Sequence, residues 1–363
     1  MVKQIRFNGI DRLYDAYSWR LTRRAKRVWR SGVVLTGKDN INSERFQLEQ
    51  NIAKYTKRKY ALAVQSGTDA LYLALRAHRI GPGKKIMCPA YSFLATATAI
   101  KRTRADIIFI DVDEQGQIGT LELKQKPDAV VYVNLFGNLA DYDRISQYCK
   151  VNKIPLIEDA AQSLGASYKK IPSGKLGDTS VLSFSPTKNL PAFGNGGMVL
   201  TDDENIAETV KSFRYHGVGK NPVPYGYNSV MSEDHCAQIN FLLSKYKKLQ
   251  NMRQQVRKWY DEELYKLGIQ SFKTQQNTVS SNHKLVISVN NRDKLKEFLQ
   301  QNGVETQVHY KTILPYMEYF NSKESFPNAT NISIEALTLP LYPHLNKEEV
   351  LYVCKIIKDF YGV

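Results

Sequence analysis

Between residues 59 and 201 the chain alternates short apolar, β-branched runs with segments of helical period, and nothing else in its 363 residues restricts the fold as strongly. The runs lie at 60–64, 86–88, 107–110, 129–133, 156–157, 181–184 and 198–200, with helical stretches such as 70–78 between them. Parallel neighbours need a crossover between them, and a helix is the usual one. Strands covered on both faces read as continuous apolar runs rather than alternating ones. The pattern therefore predicts an α/β fold with a mostly parallel central sheet.

The flanks read differently. Leu13, Tyr17, Leu21, Ala25 and Val28 recur at helical spacing, with Arg20, Arg23, Arg24, Lys26, Arg27 and Arg30 on the other faces. This predicts a docked helix with a solvated basic face. Residues 238–267 predict one long helix, with Leu242, Leu249, Met252, Val256 and Tyr260 on one side. Beyond it, 284–289, 292–301 and 304–309 read as strand, helix and strand, and 347–360 as a closing amphipathic helix. The expected organisation is an N-terminal segment over 1–32, a large α/β domain over 33–238, and a linking helix with a smaller α+β domain over 239–363.

Fifty-one Lys and Arg against 35 Asp and Glu leave a formal charge of +16, so an anionic partner is expected. The basic residues are dispersed and accompany no zinc-finger, RRM-like or helix-turn-helix signature, which argues against nucleic acid. Basic nucleic-acid binding stays as the alternative of another class. No uncharged apolar stretch reaches the roughly 18 residues of a spanning helix, and residues 1–12 offer no signal-peptide core. Cys88, Cys149, Cys236 and Cys354 are far apart and form no C-x-x-C pair, which suggests neither a disulfide framework nor a zinc cluster. His235 beside Cys236 supplies too few ligands for a metal. A cytoplasmic protein, not bound to membrane, is expected.

Three constellations could carry chemistry. Ser66-Gly67-Thr68-Asp69 follows a strand and opens a helix, where free amides and a hydroxyl make an anion cradle; a plain βα turn with a capping serine reads from the same residues. Glu158-Asp159 follows another strand, where open α/β sheets bind ligands; the acid there could hold a ring nitrogen, a metal or a hydroxyl, or cap the next helix. Ser183-Phe184-Ser185-Pro186-Thr187-Lys188 precedes the glycine-rich turn Gly194-Asn195-Gly196-Gly197. A lysine so placed is either a Schiff-base nucleophile or a solvated surface charge. Cradle, acid and lysine, each at a strand end of one sheet, are together the parts that pyridoxal 5'-phosphate requires for its phosphate, ring nitrogen and aldehyde.

With these in view, the chain resembles the DegT/DnrJ/StrS-type sugar aminotransferases, a branch of the fold-type I pyridoxal phosphate enzymes. The resemblance runs through 32–37, 66–71, 89–95, 158–166, 183–197, 226–228, 309–310 and 339–343. It implies that Lys188 forms the imine with the cofactor, that Asp159 pairs with the ring nitrogen, and that Gln162 sits by the ring hydroxyl. Gly67, Thr68 and Ser183 would hold the phosphate. Phe93 would stack on the ring, with Tyr91, expected on the same face of a strand, in reserve. His309 and Tyr310 would face the substrate. Asn228 would reach the phosphate of a neighbouring subunit, implying a homodimer with shared active sites. The implied reaction moves an amino group from L-glutamate, releasing 2-oxoglutarate, to a nucleotide-linked ketosugar. A 4-keto-6-deoxyhexose is the first expectation, and C3 amination, suggested by the Lys188–Gly194 spacing, the alternative. Val230, Asn195 and His235 depart from the family pattern, which commonly has arginine, an acid and glutamine there.

Overall fold

A computed structural model describes residues 4–36, 40–121 and 126–362; Gly37, the end of the 32–37 match, lies outside the described residues. The chain opens with α1 (Ile10–Ser31) and α2 (Glu44–Thr56), then alternates β1 (Tyr60–Val64), α3 (Gly67–Ala77), β2 (Lys85–Pro89), α4 (Leu94–Arg102), β3 (Asp106–Ile110), β4 (Ala129–Val133), α5 (Tyr142–Asn152) and β5 (Leu156–Asp159). Two short strands, β6 (Ser167–Tyr168) and β7 (Ile171–Pro172), precede β8 (Thr179–Ser183), β9 (Gly197–Thr201) and α6 (Glu204–Arg214). The rest is α7 (Glu233–Lys266), β10 (Thr278–Val279), β11 (Leu285–Ser288), α8 (Arg292–Gln301), α9 (Pro327–Glu335), β12 (Ala336–Leu339) and α10 (Lys347–Tyr361).

The central sheet has the order β1-β9-β8-β5-β4-β2-β3. All its pairings are parallel except those of β9, which runs antiparallel to both β1 and β8. This is the mostly parallel α/β sheet that the alternation predicts. Every residue of β4, β5 and β9 is buried, as strands covered on both faces must be. Because β1, β5 and β8 point the same way, Val64, Asp159 and Ser183 end at one edge, and antiparallel β9 begins there: Gly197 is the register partner of both Val64 and Ser183.

A second core gathers Val256, Tyr260 and Leu264 of α7 with the β11–β12 ladder, α8 and α10. The long helix begins at Glu233, five residues earlier than its apolar pattern indicates, with Glu233 and Asp234 favouring the positive end of the dipole. The segment 304–309, expected as a strand, is not one. Val304 and Gln307 are claimed by different partners, Val304 by Ile5 in parallel and Gln307 by Thr338 in antiparallel, so no continuous ladder forms. This pairing ties the N-terminal segment to the C-terminal core.

Candidate active site

The edge where β1, β5 and β8 end opens into a cavity of about 480 Å³ that Gly67, Thr68, Phe93, Asp159, Gln162, Ser183, Lys188, His309 and Tyr310 all help to line. On one wall Ser66 caps α3, its Oγ accepting from the Asp69 amide at 3.1 Å. Two glycines let this turn approach the neighbouring strands. A Cβ on Gly67 would lie 2.8 Å from the Ser183 Cβ, and one on Gly197 only 2.2 Å from the Ser66 carbonyl oxygen. The helix start and the Ser183 side chain thus close on each other as a small concave donor site, suited to an anion.

The two acids of β5 divide sharply. Glu158 is walled in: it accepts from Asn134 Nδ2 (2.9 Å), Ser173 Oγ (2.7 Å), Ser180 Oγ (2.7 Å) and the amides of Gly174 (3.1 Å) and Leu176 (2.9 Å). Asp159 lines the cavity, with Oδ1 accepting from the Ala161 amide (3.1 Å) and Oδ2 from Thr96 Oγ1 (3.3 Å). Burial pushes its carboxyl above the usual carboxylate range, against the pull of the Ala161 amide and the charge of Lys188. An acid held this way can share a proton with a basic ring nitrogen.

Lys188 is half-buried, and burial lowers its amine to about 8, opposed by Asp159. A lysine near neutrality is a competent nucleophile and proton carrier, unlike a solvated surface lysine. Its turn is fixed from the C-terminal core: Asn189 Nδ2 donates to the Ser281 carbonyl (3.0 Å) and His283 Nδ1 donates to Asn189 Oδ1 (3.0 Å).

Phe93 caps α4 and is 53% exposed into the opening, its ring 6.0 Å from that of Tyr310. Tyr91 and Phe93 lie beyond the end of β2 rather than on a strand face, and they part company. Tyr91 is fully buried; its hydroxyl donates to the His309 carbonyl and accepts from the Tyr310 amide at 2.6 Å. It supports the His309-Tyr310 wall from behind. Gln162 braces the same wall, Oε1 accepting from the Phe136 amide (2.8 Å) and Nε2 donating to the Tyr310 hydroxyl (3.2 Å). His309 Nδ1 bonds Thr338 Oγ1 at 2.9 Å.

Asn228 is not brought into this cavity. It is exposed and bridges Tyr215, while the adjacent Ser229 donates to Asp69 at 2.7 Å. Val230 is buried and supplies no charge. His235 packs on the glycine turn, Nδ1 donating to the Asn195 carbonyl at 3.1 Å, and Cys236 points into the core. Sequence reasoning missed Phe7, Asn8, His283, Lys284 and Gln307, which also line the cavity. The polar run 281–284 ahead of the apolar β11 was a usable signal for His283 and Lys284; Phe7 and Asn8 carried none. A larger groove, about 1140 Å³, runs along the basic face of α1 past Trp19 and Phe241, but its lining holds no carboxylate and nothing resembling the acid and lysine pair.

Comparison with known proteins agrees with this geometry. The chain is 34% identical to the pleiotropic regulatory protein of Geobacillus stearothermophilus, covering 87% of this chain and 88% of that one. It is 29% identical to the UDP-2-acetamido-2-deoxy-3-oxo-D-glucuronate aminotransferase of Pseudomonas aeruginosa, over 92% and 94% respectively. The crystal structure of S. venezuelae DesV in complex with a ketimine intermediate superposes over the full length of both chains with a TM-score of 0.94 at 27% identity. The family model for DegT/DnrJ/EryC1/StrS aminotransferases matches residues 19–358. With the lysine, the acid and the anion cradle at one sheet edge and that match over most of its length, the chain belongs to the DegT/DnrJ/EryC1/StrS aminotransferase family.

Proposed function

We propose that this protein is a pyridoxal 5'-phosphate-dependent aminotransferase that moves an amino group from L-glutamate to the keto carbon of a nucleotide-linked sugar. The observation that carries the reading is the convergence of Lys188, Asp159 and the Gly67–Ser183 cradle on one cavity. The residues fit the cofactor: the space a Cβ on Gly67 would need is taken by Ser183, leaving backbone donors to face an anion, and Asp159 and Lys188 are both shifted toward neutrality. When bound, that cofactor supplies a carbonyl that exchanges amino groups and a ring that accepts electrons.

Gly67, Thr68 and Ser183 hold the phosphate, Asp159 holds a proton on the ring nitrogen, Gln162 stands by the ring hydroxyl, and Phe93 covers the ring face. Lys188 Nζ takes the proton from the donor's α-carbon and later returns one to the former keto carbon of the sugar. His309 and Tyr310 face the sugar. Asn228, exposed and outside its own cavity, completes the phosphate site of a second subunit in a homodimer. We assign residues 33–238 to the cofactor-binding domain and 239–363 to the linking helix and smaller domain.

We place the new amine at C3 in preference to C4. Relatives named for 3-oxo and 3-dehydro sugars, from Pseudomonas aeruginosa and Acidithiobacillus ferrooxidans, are 29% and 30% identical, and the Lys188–Gly194 spacing resembles that of family members that aminate C3. C4 amination is the second reading, favoured by the 29% identity to the GDP-perosamine synthase of Escherichia coli. Incubation with cofactor, L-glutamate and a panel of nucleotide 3-keto and 4-keto sugars, with product mass and the position of the amine read out, tests the reading. An absence of amination across the panel would overturn it.

A further inference from the structure

We infer that Lys284 is a carboxylate-binding residue of the substrate cavity, seated on the ring of Phe7 and taking either a carboxylate of the amino donor or one carried by the keto substrate. The inference rests on the aminotransferase reading of this cavity.

Lys284 immediately precedes β11, and its amide donates to the Phe136 carbonyl at 3.0 Å, which fixes the residue against the central sheet's edge. Its Nζ lies 4.4 Å from the centroid of the Phe7 ring. Phe7 is itself held: its amide donates to Glu305 Oε2 at 3.0 Å, Ile5 pairs with Val304, and its ring is 5.7 Å from that of His309. This is a built position, because an aromatic face steadies the cation and the long stem is ordered on it.

The charge around it is unbalanced. Asp159 is the sole carboxylate among the described lining residues, set against Lys188 and Lys284. Among the described residues neither lysine is in an ion pair, and burial together with Lys188 and Arg253 holds the Lys284 amine down to about 7. A half-buried ammonium short of an acceptor costs free energy unless something negative arrives. A cation–π contact offsets part of that cost, and a carboxylate would supply the charge-assisted hydrogen bond still missing.

The geometry favours a carboxylate over the diphosphate of a nucleotide. Lys284 and Lys188 line the same cavity, so a ligand of Lys284 is held in the cavity that contains the reacting carbon. Every α-amino donor carries a carboxylate bonded to that carbon, whereas a nucleotide's diphosphate is several bonds from any ketosugar C3 or C4.

Glutarate, a dicarboxylate without an amine, is the probe, used with the cofactor-loaded enzyme. Lys284→Met should weaken glutarate binding in calorimetric titration by roughly 10- to 100-fold, the range for a hydrogen bond to a charged group, and Lys284→Arg should restore most of it. Two kinetic arms separate the sources. If the donor supplies the carboxylate, Lys284→Met lowers kcat/KM for L-glutamate by a similar factor and leaves the KM for ketosugars alone. If the sugar supplies it, the KM of a keto-uronate rises while that of the matched uncarboxylated ketosugar does not. A measurement on the wild type is independent of whether the variants fold: glutarate, or failing it the keto-uronate, should slow acetylation of Lys284 several-fold by peptide mass spectrometry, with exposed Lys101 unaffected. Unchanged acetylation with both ligands, or glutarate affinity and both KM values within twofold of wild type in folded Lys284→Met, overturns the inference. A wild type that aminates no ketosugar sinks the sugar reading alone, and protection by glutarate still decides Lys284.

Discussion

Glu158 and Asp159 are consecutive residues at the end of β5, yet Glu158 is enclosed by five hydrogen-bond donors and only Asp159 opens on the cavity. Pleating sends neighbouring side chains to opposite faces, so two equal acids acquire separate tasks. Asp159→Asn should leave the melting temperature nearly unchanged and lower turnover by roughly 100-fold or more, since a neutral amide no longer favours a protonated ring nitrogen. Glu158→Gln should do the reverse, costing about 2–3 kcal/mol in urea unfolding because the Ser and amide donors lose a charged acceptor. Equal effects of both substitutions on stability and turnover would remove the distinction.

Lys188 gives a pH-dependent stability signature. Its folded value is about 8 against 10.5 when solvated. Between these values the unfolded chain keeps a proton that the folded chain has released, so stability rises with pH across the window and the cost of the buried ammonium is fully felt below it. Cofactor-free Lys188→Met should therefore be more stable than wild type at pH 7, with the margin shrinking from pH 8 to 10.5 in urea titrations. Its transamination should be lost by roughly a thousandfold or more. A margin that does not depend on pH would mean that the amine is solvated.

Much of this was legible in the sequence because it is local. The apolar runs at 60–64, 156–157 and 181–184 locate the strands that end at Val64, Asp159 and Ser183, although β5 runs two residues further and β8 stops one residue earlier than its run, and a parallel sheet brings such ends to one edge without further information. The preference for Phe93 over Tyr91 could be read only as a resemblance, since the backbone leaves β2 before either residue and no periodicity governs them. Phe7 and Lys284 reach the cavity through the return of the chain along α7 and the pairing of Ile5 with Val304. Those contacts span about 300 residues of sequence and have no local signature. The same non-local pairing removed the strand expected at 304–309.

His309 should set part of the acid limit. Burial, with Lys284 and Lys188 adding to it, lowers its imidazole from 6.5 to about 3. Between those values the unfolded chain binds the extra proton, so stability is complete above pH 6.5 and is lost as pH falls toward 3. His309→Gln, whose amide can still meet Thr338 Oγ1, should flatten the loss of unfolding free energy over that interval. An acid limb identical to that of the wild type would show that the ring is not desolvated.

Asn228 tests the assembly. It is exposed, bridged to Tyr215 and outside the cavity of its own chain, while the backbone on either side is pinned by Tyr227 N to the Phe213 carbonyl (2.7 Å) and Ser229 N to the Arg214 carbonyl (2.9 Å). A polar side chain displayed on a fixed strut suits a site supplied by a second copy in a twofold dimer. Lys188→Ala homodimers should be inactive for want of the amine, and Asn228→Ala homodimers weak because each phosphate site loses a donor. In a heterodimer of the two, one site carries both lesions and the other neither. Unfolding and refolding an equal mixture should place about half of the chains in heterodimers, with one of two sites intact, and restore about a quarter of wild-type activity. Heterodimers demonstrated by differential tags but showing no recovery would mean that Asn228 acts within its own subunit, and full activity in a monomer would eliminate the shared site.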